Sequence, residues 1–135
     1  MSLIQWSETL SVNVVEIDRQ HKILIQIIND LNEAMRQRQG KEVMEKTIEG
    51  LLRYAKTHFA TEERYFDKYG YPDAAAHKKE HALFVEKASE FKQGFEKGQI
   101  TLSVQVMDFL SNWLKQHIQG NDKKYTPFFN QKGLR

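Results

Sequence analysis

The 135-residue sequence has no cysteine and only two prolines, Pro72 and Pro127. Without thiols there can be no disulfide, no thiolate metal site and no cysteine nucleophile, which fits a reducing compartment. With so little proline, long stretches keep every backbone donor that a helix needs. No sign of charge dominates either: 20 Lys and Arg are interleaved with 18 Asp and Glu, for a formal net charge of +2. That balance describes a solvated surface rather than a nucleic-acid groove. No run approaches the ~18 apolar residues of a membrane span. The opening stretch MSLIQWSETLSV lacks a basic region leading into an apolar one, so it is not read as a signal peptide. The expectation is one cytoplasmic domain over residues 1–135, with no nucleic-acid partner and no membrane span.

What remains is helical periodicity. The first helix is expected from about Asp18, read as its N-cap, to Gln39, with Gly40 as the stop. Its inward stripe is Ile17, His21, Leu24, Ile28, Leu31 and Met35. A second runs from Lys41 to Tyr69 and presents Met44, Ile48, Leu51, Ala55, His58, Glu62 and Tyr65 or Phe66. Gly70 and Pro72 break the chain, and Asp73 is expected to cap a third helix. That helix shows Ala74, His77, His81, Phe84, Ala88, Phe91 and Phe95 before Gly98. The fourth begins near Thr101 with Leu102, Val106, Leu110, Trp113 and His117. The segment after Gly120 shows no clear period and is expected to pack its aromatics across the bundle end. Alternating four-three spacings with short connections predict an all-α, antiparallel up-down-up-down four-helix bundle with an N-terminal arm of about 17 residues and a short C-terminal tail.

All five histidines of the chain, His21, His58, His77, His81 and His117, fall on these inward stripes, and so does Glu62. Buried imidazoles and a buried carboxylate need a compensating charge. In an up-down-up-down bundle the starts of helices one and three meet the finishes of helices two and four. All six residues therefore gather at one end. Nitrogen and oxygen donors without thiolate suit zinc, copper, iron, nickel or manganese. Five nitrogens exceed one tetrahedral zinc site, so two metals are the simpler reading. A second bridging carboxylate is then needed. Asp122 is best placed and Asp18 is its competitor, although Asp18 is more simply a cap. Asp122 lies five residues after His117, which in an α-helix turns it about 140° away. A π-bulge or unwound turn near Gly120 is predicted to restore it. Five histidines, two bridging carboxylates and one bridging oxygen leave one position open on two octahedral metals.

With those residues in place the chain resembles the hemerythrins, and more narrowly the single-domain bacterial hemerythrins. The resemblance rests on Trp6, IDRQHKIL around His21, HFATEERYF, HKKEH and WLKQHIQGND. It implies reversible dioxygen binding at a non-heme di-iron centre, two irons per chain with a bridging oxide or hydroxide. By the same resemblance His77, His81 and His117 would hold the saturated iron and His21 and His58 the open one. Glu62 and Asp122 would bridge the pair. One departure is local: Asn13 stands where the family often has glycine in the arm, and Asn tolerates a left-handed backbone better than most residues.

Five neutral imidazoles against two carboxylates carry less negative charge than the glutamate-rich sites of ferritin-like proteins, which keeps a diferrous form accessible. The expected role is an oxygen carrier, store or delivery module rather than an enzyme. The alternatives are a di-iron redox enzyme acting on peroxide or nitric oxide, and an oxygen or redox sensor. An O2-consuming enzyme or a reductase is the expected partner class, and the chain is expected to be a monomer. Leu24, Ile25, Trp113 and Leu114, each within a turn of a metal histidine, are expected to line a dry oxygen pocket.

Overall fold

The computed structural model describes residues 4–37, 41–98 and 104–135. A short 3-10 turn at Glu8–Leu10 precedes five helices: α1 (Val15–Arg36), α2 (Lys41–Tyr69), α3 (Ala74–Glu96), α4 (Val104–Gln116) and α5 (Lys123–Gln131). A π-helical segment, His117–Asp122, joins α4 to α5. No strand occurs among the described residues. Helix α1 packs on α2, α2 on α3, α3 on α4, and α4 back on α1. The fold is a closed up-down-up-down four-helix bundle.

The expected stripes form its core. Ile17, Leu24, Ile28 and Leu31 of α1, and Ile48, Leu51, Ala55 and Phe66 of α2, are buried, as are Phe84 and Ala88 of α3 and Leu110 of α4. Met35, Tyr65, Phe91, Phe95 and Trp113 are partly buried against them. Helix α2 stops where Gly70, at φ +69°, takes the left-handed turn that a side chain disfavours. The amides of Gly70 and Tyr71 then both reach back to the Phe66 carbonyl, at 2.8 and 3.0 Å.

Several boundaries differ from the sequence reading. Helix α1 starts at Val15, so the arm is shorter than expected and Asp18 is not its N-cap. Asp18 sits in the first turn and reaches back to the arm, accepting the Ser11 hydroxyl at 2.6 Å and the Val12 amide at 2.8 Å. Its carboxylate is committed there. Asn13 adopts φ +56°, the left-handed conformation anticipated for it. Asp73 occupies the position before α3, but its side chain makes no capping hydrogen bond. Gln39, Gly40, Thr101 and Leu102 lie outside the described residues, as do the side chains of Lys41, Met44 and Val106.

The largest difference is in the tail, which is helical. Buried positions continue through it as Leu110, Leu114, Ile118, Asp122, Tyr125 and Phe129, a four-three rhythm that survives because the π segment absorbs one residue. Helix α5 is tied to the arm by two bonds. Thr126 Oγ1 donates to the Val12 carbonyl at 2.8 Å, and Asn130 Nδ2 to the Asn13 carbonyl at 3.1 Å. Phe129 is fully buried among Tyr65, Phe66, Tyr71 and Tyr125. Phe129→Ala should therefore cost about 3–5 kcal/mol of stability, read by urea unfolding. A loss below about 1 kcal/mol would mean that α5 is not part of the cooperative core.

Candidate metal centre

Each helix delivers its polar residues to the same end of the bundle. His21 comes from the second turn of α1, His58 and Glu62 from α2, and His77 and His81 from the start of α3. His117 opens the π segment and Asp122 closes it. The wider turn of that segment brings Asp122 back to the inward seam, as the five-residue interval required. All seven are at most 5% exposed.

Their ligating atoms form two overlapping groups. One contains Glu62, His77, His81, His117 and Asp122, the other His21, His58, Glu62 and Asp122, and within each group these atoms lie within 4.8 Å of one another. Both carboxylates belong to both groups. Asp122 Oδ1 stands 2.8 Å from His77 Nε2 and 3.0 Å from His117 Nε2, while its Oδ2 is 3.0 Å from His21 Nε2. Glu62 Oε1 lies 3.1 Å from His81 Nε2 and 3.3 Å from His58 Nε2.

Despite this proximity His21 Nε2, His58 Nε2, Glu62 Oε1 and both Asp122 oxygens have no hydrogen-bond partner. Their lone pairs converge on shared points instead of meeting a donor. Orphaned buried acceptors cost about 1–3 kcal/mol each, and a cation at each shared point removes that cost. The spacing also discriminates between geometries. Donors at ~2.1 Å from an ion stand ~3.0 Å apart around an octahedron and ~3.4 Å apart around a tetrahedron. His77 and His81 Nε2 each lie 3.1 Å from His117 Nε2, on the octahedral side. The residues fit a pair of six-coordinate metals.

The far ring nitrogens hold the imidazoles in place. His58 Nδ1 meets Gln20 Oε1 at 2.6 Å, His81 Nδ1 meets Glu63 Oε2 at 3.0 Å, and His117 Nδ1 faces Glu80 Oε2 at 3.4 Å. These acceptors take the ring N–H and leave Nε2 unprotonated toward the interior. Sequence reasoning missed these supports because they lie off the inward stripes. It also missed Tyr125, fully buried, whose hydroxyl donates to Glu62 Oε2. The four-three interval Asp122–Tyr125–Phe129 was the available signal, hidden behind the π insertion. Burial, with the Asp122 and Glu62 charges added, holds the Tyr125 pKa well above its usual value, so it remains a donor.

Burial keeps His58 neutral, with its pKa lowered to about 3. His117 behaves oppositely in the metal-free chain. Burial opposes its charge, but Asp122, Glu62 and Glu80 outweigh that and lift its pKa to about 9. Asp122 itself is held well below the carboxylate range; burial pushes it up, and His117, His21 and His77 overcome that. The expected pocket residues Leu24, Ile25 and Leu114 are buried in the core. Trp113 stacks on the His117 ring, with centroids 4.5 Å apart and an interplanar angle of 12°.

Comparison with known proteins agrees with this geometry. The profile of the hemerythrin HHE cation binding domain matches residues 12–129. A bacteriohemerythrin of Stenotrophomonas maltophilia is 35% identical, with 93% of this chain and 80% of that protein covered. One of Methylococcus capsulatus is 32% identical over 94% of this chain and 97% of that protein. A crystal structure of wild-type hemerythrin superposes with a TM-score of 0.87 at 31% identity, covering 93% of this chain and 96% of that one.

The raised His117 pKa has a consequence for stability. In the metal-free chain its contribution is complete below the ordinary value of 6.5 and is lost as pH rises through about 9. The Tm of metal-free protein should therefore fall between about pH 7 and about pH 9. Metal-loaded protein should be level over the same window, since a ligating imidazole carries no proton to lose. A level metal-free profile would contradict the His117–Asp122 pairing.

Proposed function

The chain belongs to the hemerythrin family of dioxygen-binding proteins, and we propose that its seven-residue cluster holds two irons and binds dioxygen reversibly for carriage, storage or delivery. The observation that carries this reading is the pair of overlapping ligand sets that share Glu62 and Asp122. His77, His81 and His117 serve one position, and His21 and His58 the other. With a bridging oxide or hydroxide between them, the irons supply the electrons that bound dioxygen takes up and returns.

The chain's own residues set the conditions for that exchange. Three histidines, two shared carboxylates and the bridge fill one position completely. The other has one nitrogen fewer, and the ligand arrives there. Tyr125, by donating to Glu62 Oε2, leaves Oε1 directed at His58 and His81. Leu24, Ile25, Trp113 and Leu114 keep water and protons away and so prevent loss of the bound oxygen as a reduced product. Five neutral nitrogens against two carboxylates favour release over deeper oxidation, which supports a binding protein rather than an enzyme. An O2-consuming enzyme or a reductase that restores the ferrous state is the partner class this chemistry calls for.

The first test is anaerobic loading with ferrous iron, followed by optical spectra through cycles of oxygen addition and removal. Two irons per chain and a charge-transfer band that comes and goes with oxygen are expected. Irreversible oxidation at first exposure would favour a redox enzyme or a sensor. Leu114, 3% exposed, supplies a second test. Leu114→Ala should accelerate autoxidation by admitting water, and an unchanged rate would remove Leu114 from the pocket.

A further inference from the structure

The supports behind the histidines are unequal. On the three-histidine side two rings face carboxylates: His81 Nδ1 is 3.0 Å from Glu63 and His117 Nδ1 is 3.4 Å from Glu80. Asn121 steadies Glu80 by donating to its Oε2. On the two-histidine side His58 is backed by a neutral amide, Gln20, itself held by Thr61 at 3.2 Å. His21 is fully buried, and its Nδ1 has no hydrogen-bond partner.

The difference is chemical as well as geometric. A carboxylate that accepts the ring N–H pushes electron density onto Nε2 and makes it a stronger donor to a cation. An amide does so weakly, and an unpaired N–H does not do so at all. Aromatic packing follows the same division. Phe59 lies face to face on His81 at 3.9 Å, Trp113 on His117 at 4.5 Å, and Tyr125 on His77 at 5.7 Å. His21 and His58 meet edge-on, with centroids 4.6 Å apart and planes at 69°. One position is thus built from stronger and better fixed donors than the other.

We propose that Glu63 and Glu80 are positioning residues that make the three-histidine position fill first, so that the protein passes through a stable one-metal form with the two-histidine position empty. The proposal rests on the two-iron reading above. The shared carboxylates reinforce the order. Once Glu62 and Asp122 serve the first cation they have less charge left for the second, which must rely on His21 and His58. At limited metal supply the chain then holds a saturated single ion and no place for dioxygen, so binding capacity follows occupancy of the weaker position alone.

The test uses the full chain stripped of metal and titrated anaerobically with ferrous iron. Native mass spectrometry counts irons per chain, and chelator competition gives the affinity of each step. Wild-type protein at one equivalent should be mainly the one-iron species. Glu63→Gln and Glu80→Gln should each weaken the first step about tenfold or more and leave the second nearly unchanged. Gln20→Leu should weaken the second step only. All three side chains lie at the edge of the cluster, so the variants should fold, which circular dichroism checks. Uptake of two irons in an all-or-none pair, in a statistical mixture, or with the first step insensitive to Glu63 and Glu80 would overturn the proposal while leaving the two-iron reading intact. Saturation below two irons would overturn both.

Discussion

Seven buried polar side chains whose lone pairs point at two shared places impose the constraint that organises this protein. Such an arrangement has no favourable form made of protein atoms alone. Donors are lacking for His21 Nε2, His58 Nε2 and the facing carboxylate oxygens, and two carboxylates lie together in a dry interior. The metal-free chain relieves part of this by protonating His117. A metal relieves all of it, which couples ion uptake to the stability of the bundle end. The surrounding apolar core can be read as the frame that makes this cost tolerable, because it holds the helices in place before any ion arrives.

The frame acts through ring contacts and hydrogen bonds more than through bulk. The imidazoles of the three-histidine side are held both by stacking and by an outer acceptor, so rotation would break two kinds of contact at once. Phe66 extends the wall by packing between His77 and Tyr125, at 4.8 and 5.8 Å. Helix α5 supplies Tyr125 and Phe129 to this wall and is itself fastened to the arm before α1 through Thr126 and Asn130. Asp18, freed from capping, secures the arm in turn. A line of dependence therefore runs from Ser11 and Asp18 through the arm and α5 to Tyr125, and from there to Glu62.

Much of this was legible in the sequence because buried polar residues betray themselves by position. His21, His58, Glu62, His77 and His81 stood on stripes that were otherwise apolar, and up-down-up-down topology was enough to bring them to one end. Asp122 required a further step, since its interval from His117 made sense only with a distorted turn. Helix α5 was not legible, because an expectation of continuous α-helical phase fails one residue past the distortion and makes a regular pattern look irregular. The supports Gln20, Glu63 and Glu80 were hidden for another reason. Each occupies a position where a polar residue is ordinary, and only the placement of the neighbouring ring nitrogen gives it meaning. Asp18 misled for a similar reason: an acid at a helix start reads as a cap, whereas here its bonds go to the arm.

The π segment has one more implication, which concerns how its residues can be judged by mutation. Gly120 lies on the surface, and a Cβ placed there meets nothing within 4 Å. Side-chain scanning would score it as dispensable. Yet its presence in the count is what keeps Asp122, Tyr125 and Phe129 facing inward, since removing one residue turns everything beyond it by about 100°. Its contribution is length alone. A position of this kind is silent to substitution and decisive to deletion, so tolerance to replacement at this point of the chain measures chemistry and says nothing about spacing.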